Sequence, residues 1–183
     1  CDECLSPIDP SKLLSKHCKT CNSETIIKKN KHLYFKLSAF QKVLEEFINS
    51  HENDWRKNAL NESKKYLNLG LIDRAATRQL DWGVDVPVSG YEDKKIYVWI
   101  EAVLGYLTAS EQVLKKRGID FNSFVTDNDN LRTYFVHGKD NITFHTIIYP
   151  ALLQAINPKW QLPKYIISSE YVNMNDEKMS KSK

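Results

Sequence analysis

The spacing of hydrophobic and polar positions changes several times along the chain. HLYFKL, residues 32–37, has the composition of a strand, and Ser38 followed by Gln41 is a capping-box signal for a helix through about Asn49. A second helical period runs from about Asp54 to Leu69, with Trp55, Leu60 and Leu67 among its apolar positions and Gly70 as its stop. DWGVDVPVSG then interrupts the periodicity with Gly83, Pro87 and Gly90, which marks a boundary in composition. Beyond Lys95 the order becomes a strand IYVWI, a helix from about Ala102 to Arg117 stopped by Gly118, and a polar loop. A strand TYFVHG, a helix from about Asn141 to Ala155 ending near Pro158, a strand YIISSEYV and a terminal loop complete it.

Strand, helix, strand, helix, strand is the order of a parallel sheet with crossover helices, so the expected class is α/β. In such sheets ligands bind beyond the carboxyl ends of the strands. That rule selects WIEAVLGY, HGKDN and NDEKMSKS, each at or just past the end of a predicted strand.

Composition narrows the setting. With 183 residues, 42% hydrophobic and 27% charged, the chain is long enough to bury a core of one or two domains. No run approaches the roughly 18 apolar residues of a membrane span, and CDECLSPIDP lacks the layout of a signal peptide, so a cytoplasmic location is expected. A net charge of +3 is too small to argue for nucleic acid by itself.

The cysteines say more. Cys1, Cys4, Cys18 and Cys21 form two C-x2-C knuckles, and two knuckles supply the four tetrahedral thiolates of a closed structural Zn2+ site. Disulfides or buried thiols are the alternative, disfavoured by the absence of a secretory signal. His17, beside Cys18, could replace a ligand, although four thiolates already fill the coordination sphere.

YVWIEAVLGY at 97–106, GKDNITFH at 138–145 and KMSKS at 178–182, in that order after a cysteine knuckle, resemble the methionyl-tRNA synthetases over nearly the whole chain. KMSKS alone would indicate class I synthetases in general; the tryptophan-acid-alanine stretch ending in Gly-Tyr, joined to GKD and Phe-His, narrows it to the methionine family. The resemblance implies a zinc-knuckle segment at 1–30, the remainder of a connective segment at 31–90, and the second half of a Rossmann-type catalytic domain at 91–183. It implies Trp99, Tyr106 and His145 as the methionine pocket, an apolar, aromatic-walled site suited to a thioether. It also implies Gly138 and Asp140 on the adenylate side, and Lys178 and Lys181 closing over the triphosphate of ATP with its Mg2+, Lys181 being the main ATP contact. Without the motif context, a lone tryptophan or histidine such as Trp99 or His145 is more often core packing than a ligand contact, and Asp140 would also satisfy a helix N-cap.

Two departures stand out: Glu101 where many relatives have aspartate, and Val103 where many have proline. The sequence contains no H-I-G-H motif, which in the family belongs to the first Rossmann half. The resemblance therefore implies a fragment, inactive alone, whose partners are methionine, ATP, tRNA and that missing half. The alternatives are a non-catalytic zinc-knuckle module binding tRNA or a partner protein, and a class I synthetase for another amino acid.

Overall fold

A computed structural model describes residues 14–18, 21–126, 130–174 and 177–178 of the 183. The chain divides into two compact units, Cys1–Lys31 and His32–Lys183.

In the first unit an antiparallel bridge joins His17 to Glu24. The turn between them closes on itself: the Cys18 amide donates to the Ser23 carbonyl at 2.9 Å and the Asn22 amide to the Cys18 carbonyl at 2.8 Å. Asn22 supplies the left-handed residue, with φ 57°. Asparagine tolerates that conformation better than most residues.

The second unit begins with β1 (Tyr34–Phe35), which pairs antiparallel with β2 (Arg74–Ala75). Between them lie a 3-10 turn at Leu37–Phe40, α1 (Gln41–Ser50) and α2 (Lys57–Asn68). The capping box read at Ser38 and Gln41 does not form. Ser38 Oγ donates instead to Asp73 Oδ1 at 2.6 Å, and the Gln41 amide crosses to the Leu67 carbonyl at the end of α2. Gly70 ends α2 at φ +77°, as its position led us to expect.

A second correction concerns IYVWI. Only Lys95–Ile96 is extended, as β4, and it pairs antiparallel with β3 (Thr77–Arg78). α3 already starts at Val98 and runs to Lys116. An apolar run of this kind suits either state. Here a two-residue partner strand gives little ladder to join, while Glu101 in the first turn and Lys115 and Lys116 in the last complement the helix dipole. Gly118 at φ +69° closes α3, with the Ile119 amide on the Leu114 carbonyl and the Gly118 amide on the Lys115 carbonyl, a Schellman pattern.

After α4 (Phe121–Val125) come β5 (Tyr134–Gly138), α5 (Tyr149–Ile156) and β6 (Tyr165–Ser169). β5 and β6 are parallel and in register from Tyr134 with Tyr165 to Gly138 with Ser169. The strand-helix-strand crossover is thus present, with two parallel strands among the described residues where the pattern suggested three. β7 (Asn173–Met174) and β8 (Glu177–Lys178) form a small antiparallel hairpin.

Two cores hold the unit. Leu37, Leu44, Ile48, Ile147 and Ile166 are almost wholly buried between α1, α2, β6 and the segment before α5. Val103 of α3 packs with Tyr149, Leu152 and Leu153 of α5 in the second. Each such side chain contributes about 1.5–3 kcal/mol when removed from water. No described helix is long and apolar enough to cross a membrane.

Candidate functional site

Because α3 begins at Val98, Trp99 and Tyr106 lie on one helix, seven residues and two turns apart, and so on one face. Val113 continues that stripe. All three are substantially exposed, at 40%, 44% and 48%, whereas Val103 and Leu114 of the same helix are buried. The exposed face is met by the turn that precedes α5. Trp99 stacks on Phe144 with ring centres 4.5 Å apart, and Tyr106 approaches His145, oxygen to Nε2, at 3.0 Å.

The tautomer follows from the partners. His145 Nδ1 lies 2.8 Å from the Asn141 carbonyl, which can only accept, so Nδ1 carries the proton and Nε2 accepts the Tyr106 O–H. Burial pushes the His145 pKa down, the Asn141 carbonyl works against that, and the neighbouring His137 adds a little to the depression. His137 stacks on His145 at 4.3 Å and turns its Nδ1 to the Gly138 carbonyl. Phe135 and Tyr149 close the cluster edge-on to Tyr106, and burial raises the Tyr149 hydroxyl pKa. The result is a neutral imidazole bonded to the Tyr106 hydroxyl and set among aromatic rings.

On the Trp99 side a cavity of about 270 Å³ is lined by Tyr66, Arg74, Arg78, Tyr97, Trp99 and Phe144, among others. Arg78 sits 3.9 Å over the Tyr97 ring and donates to the Ala75 and Thr77 carbonyls; Arg74 donates to the Tyr66 hydroxyl at 2.6 Å. Tyr106 and His145 do not line this cavity. Phe144 enters the sequence reading only as half of the Phe-His pair, with no role at the site, and Arg74 and Arg78 do not enter it. Adjacency to His145 was a usable signal for Phe144, while nothing local distinguishes the two arginines.

Gly138 and Asp140 stand where β5 ends, Asp140 in a 3-10 turn at Lys139–Asn141. Asp140 caps no helix through its side chain; it accepts the Tyr171 O–H, which pushes the tyrosine pKa up to about 12. Lys139 pairs with Glu170 at 2.7 Å. From α2, Asn58 donates to Glu170 Oε1 at 3.0 Å and accepts the Ser168 hydroxyl at 2.7 Å. The paired strand ends are thus tied to each other and to α2.

Lys178 falls in β8, and Lys181 lies outside the described residues, as do Cys1 and Cys4. Among the described residues no group of three or more His, Cys, Asp or Glu could hold a metal. Cys18 opens the closed turn of the first unit and Cys21 lies within it. The Ser23 hydroxyl, 3.0 Å from Cys21 Sγ, is the chief cause of a thiol pKa lowered to about 7.

A family model described as tRNA synthetases class I (M) matches residues 1–183. The chain belongs to that family. A methionine–tRNA ligase of Alkaliphilus oremlandii is 46% identical over 182 residues, and one of Streptococcus pneumoniae is 47% identical over 184. Each alignment takes in 100% of this chain and 33% of the relative, so the chain spans about a third of the length of the curated relatives it matches.

Among solved structures, Mycobacterium tuberculosis methionyl-tRNA synthetase bound by methionyl-adenylate superposes with a TM-score of 0.68 at 23% identity. The match covers 89% of this chain and 30% of that one. A second structure of that enzyme with methionyl-adenylate gives 0.66 at 27% identity, with the same coverage. The fold is therefore the α/β fold of the class I (M) synthetases. At the two departures from the family pattern, Glu101 is exposed in the first turn of α3 and Val103 is buried against α5.

Proposed function

We propose that the chain is about one third of a methionine–tRNA ligase, and that in the full-length protein it holds the methionine side chain and one side of ATP. The observation that carries this reading is the pair of contacts by which the turn before α5 meets α3, Phe144 on Trp99 and His145 on Tyr106, within a chain matched over its whole length by the family. The domain reading goes with it: residues 1–30 as a zinc knuckle, 31–90 as the rest of a connective segment, and 91–183 as the second half of a Rossmann-type domain. The parallel pair β5 and β6 with its crossover supports the last of these.

Trp99 and Phe144 serve as apolar walls for the thioether. Tyr106 has one hydroxyl proton, given to His145 Nε2; sulfur is a weak acceptor, and it meets that hydroxyl as a competitor for the same proton. A neutral His145 suits an uncharged side chain, since an imidazolium beside it would be desolvated without a counter-charge. In adenylate formation the methionine carboxylate attacks the α-phosphate of ATP and pyrophosphate leaves. Gly138 and Asp140 face the adenylate, and Lys178 and Lys181 balance charge on the phosphate oxygens, where a preorganised donor is worth most in the transition state. ATP enters with Mg2+, and the methionyl group then passes to tRNA, in the cytoplasm.

Cys1, Cys4, Cys18 and Cys21 are the ligands we assign to a structural Zn2+. The closed turn at Cys18–Ser23 and the lowered Cys21 thiol fit a thiolate site. When bound, the ion supplies cross-linking and no chemistry. A zinc module without catalysis leaves the aromatic cluster of the second unit without a purpose.

The test is ATP–pyrophosphate exchange with the full-length protein and each amino acid in turn. Methionine alone should drive it. Exchange driven by leucine, isoleucine or valine instead would reassign the pocket, and no exchange with any amino acid would refute the enzyme reading. The 183-residue chain alone, with half of the phosphate site, should give none, because positioning accounts for about 7–11 kcal/mol of such a barrier.

A further inference from the structure

The segment from Lys139 to Ile156 is not one regular helix. A 3-10 turn at Lys139–Asn141 and a π turn at Phe144–Ile148 precede α5, and the Tyr149 amide reaches back five residues to the Phe144 carbonyl. Widened turns of this kind are rare, and they concentrate at functional positions. Phe144 and His145 both sit in it, and both contacts with α3 come from it.

Two adjacent side chains bond back into the same turn. His145 Nδ1 donates to the Asn141 carbonyl, and Thr146 Oγ1 donates to the Ile142 carbonyl at 3.0 Å. Back-bonding to the carbonyl four residues earlier competes with the backbone amide and distorts a helix. Thr146 is wholly buried, and so is Ser63 of α2, whose hydroxyl lies 2.7 Å from Thr146 Oγ1 and 2.7 Å from the Ala59 carbonyl. The surrounding core, which includes Ala59, Leu60, Ile142 and Ile147, is apolar. A valine and an alanine of similar shape could fill that space at little or no loss of stability. Packing alone therefore does not explain the two hydroxyls.

We infer that Ser63 and Thr146 are positioning residues that hold the π turn open from behind, so that Phe144 and His145 face Trp99 and Tyr106. Successive helical residues point about 100° apart, so one residue of extra winding decides which side chains face α3. Thr146 is wholly buried and does not line the cavity beside Trp99. It acts through its two neighbours, and its role as a determinant of methionine binding rests on the function proposed above.

The experiment uses Thr146→Val, Thr146→Ser and Ser63→Ala in the full-length protein, with two readouts. In pyrophosphate exchange, Thr146→Val should raise the methionine KM about 3- to 10-fold, as for one lost hydrogen bond, with the ATP KM unchanged. Thr146→Ser keeps the donor and should restore the methionine KM. Ser63→Ala should shift it in the same direction by about 2- to 3-fold, and adding it to Thr146→Val should change little more, since the two hydroxyls act as one unit. By NMR, the indole N–H resonance of Trp99, stacked on Phe144, should move in Thr146→Val and return in Thr146→Ser, whichever amino acid the enzyme activates. An unmoved resonance, an unchanged methionine KM, or methionine and ATP KM values rising together would overturn the inference. Should Thr146→Val fail to fold, the same outcomes in Ser63→Ala decide it. Wild-type protein without exchange refutes the proposed function and leaves the NMR arm to judge the turn.

Discussion

The two units are held together in different ways. In Cys1–Lys31 no described residue is buried, and the turn between Cys18 and Ser23 rests on a few exposed hydrogen bonds. In His32–Lys183, Leu37, Leu44, Ile48 and Ile147 are fully excluded from water. Hydrogen bonds open to solvent contribute little net stability, about 0.5–1.5 kcal/mol each, because water competes for them. Burial supplies most of the stability of the second unit and cannot supply it in the described part of the first. A segment of about 30 residues is below the size at which burial alone usually suffices, and metals or cross-links then help, which is the physical argument for the Zn2+ proposed on the cysteines.

The contrast can be broken most sharply by removing the proposed Zn2+. Structural zinc supplies on the order of 10 kcal/mol to small sites, so a strong chelator or Cys18→Ser should abolish hydrogen-exchange protection around residues 16–25. Protection in α1, α2 and β6 should persist, as hydrogen exchange read by mass spectrometry would reveal. Equal loss in both units would show that they do not fold independently.

The reverse perturbation is a cavity in the core. Leu44→Ala should cost about 2–5 kcal/mol in denaturant unfolding of the second unit, with zinc content unchanged. A smaller effect is expected at the strand ends. Asn58→Ala removes the acceptor of the Ser168 hydroxyl and a donor to Glu170, and leaving the buried serine with fewer partners should cost about 1–3 kcal/mol.

The mildest lever is pH. His145 is held neutral in the folded chain, with its pKa below the ordinary histidine value. The unfolded chain therefore takes up a proton first as pH falls, and stability should decline from about pH 6.5 downward until the folded pKa is passed. Above pH 6.5 this group should have no effect. His145→Gln should remove that part of the slope in denaturation midpoints measured from pH 8 to 5; an unchanged slope would mean another group carries it.

Much of the architecture was legible without coordinates. The α/β alternation, the stops at Gly70 and Gly118, and the strand ending at Gly138 follow from periodicity and glycine conformation, which are properties of short segments. So do the spacing of the cysteines and the seven-residue interval between Trp99 and Tyr106. YIISSEYV reads as a strand to Val172, but β6 stops at Ser169. What local pattern could not decide depended on partners far along the chain. Ser38 found Asp73 rather than a cap, because a carboxylate 35 residues away accepts both its hydroxyl and its backbone amide and holds it in the 3-10 turn ahead of α1. Val98 to Ile100 became helix because the ladder around Lys95 and Ile96 is short on both sides, Thr77 and Arg78 on one and a single bridge to Asp85 on the other. Phe144 met Trp99 through a widened turn backed by Ser63, a residue 83 positions from Thr146. Arg74 and Arg78 reached the cavity beside Trp99 through the pairing of β1 with β2 and β3 with β4. Sequence carries the periodicity of each segment, but which face of a helix finds a partner is settled only when distant segments compete for the same hydrogen bonds and the same buried space.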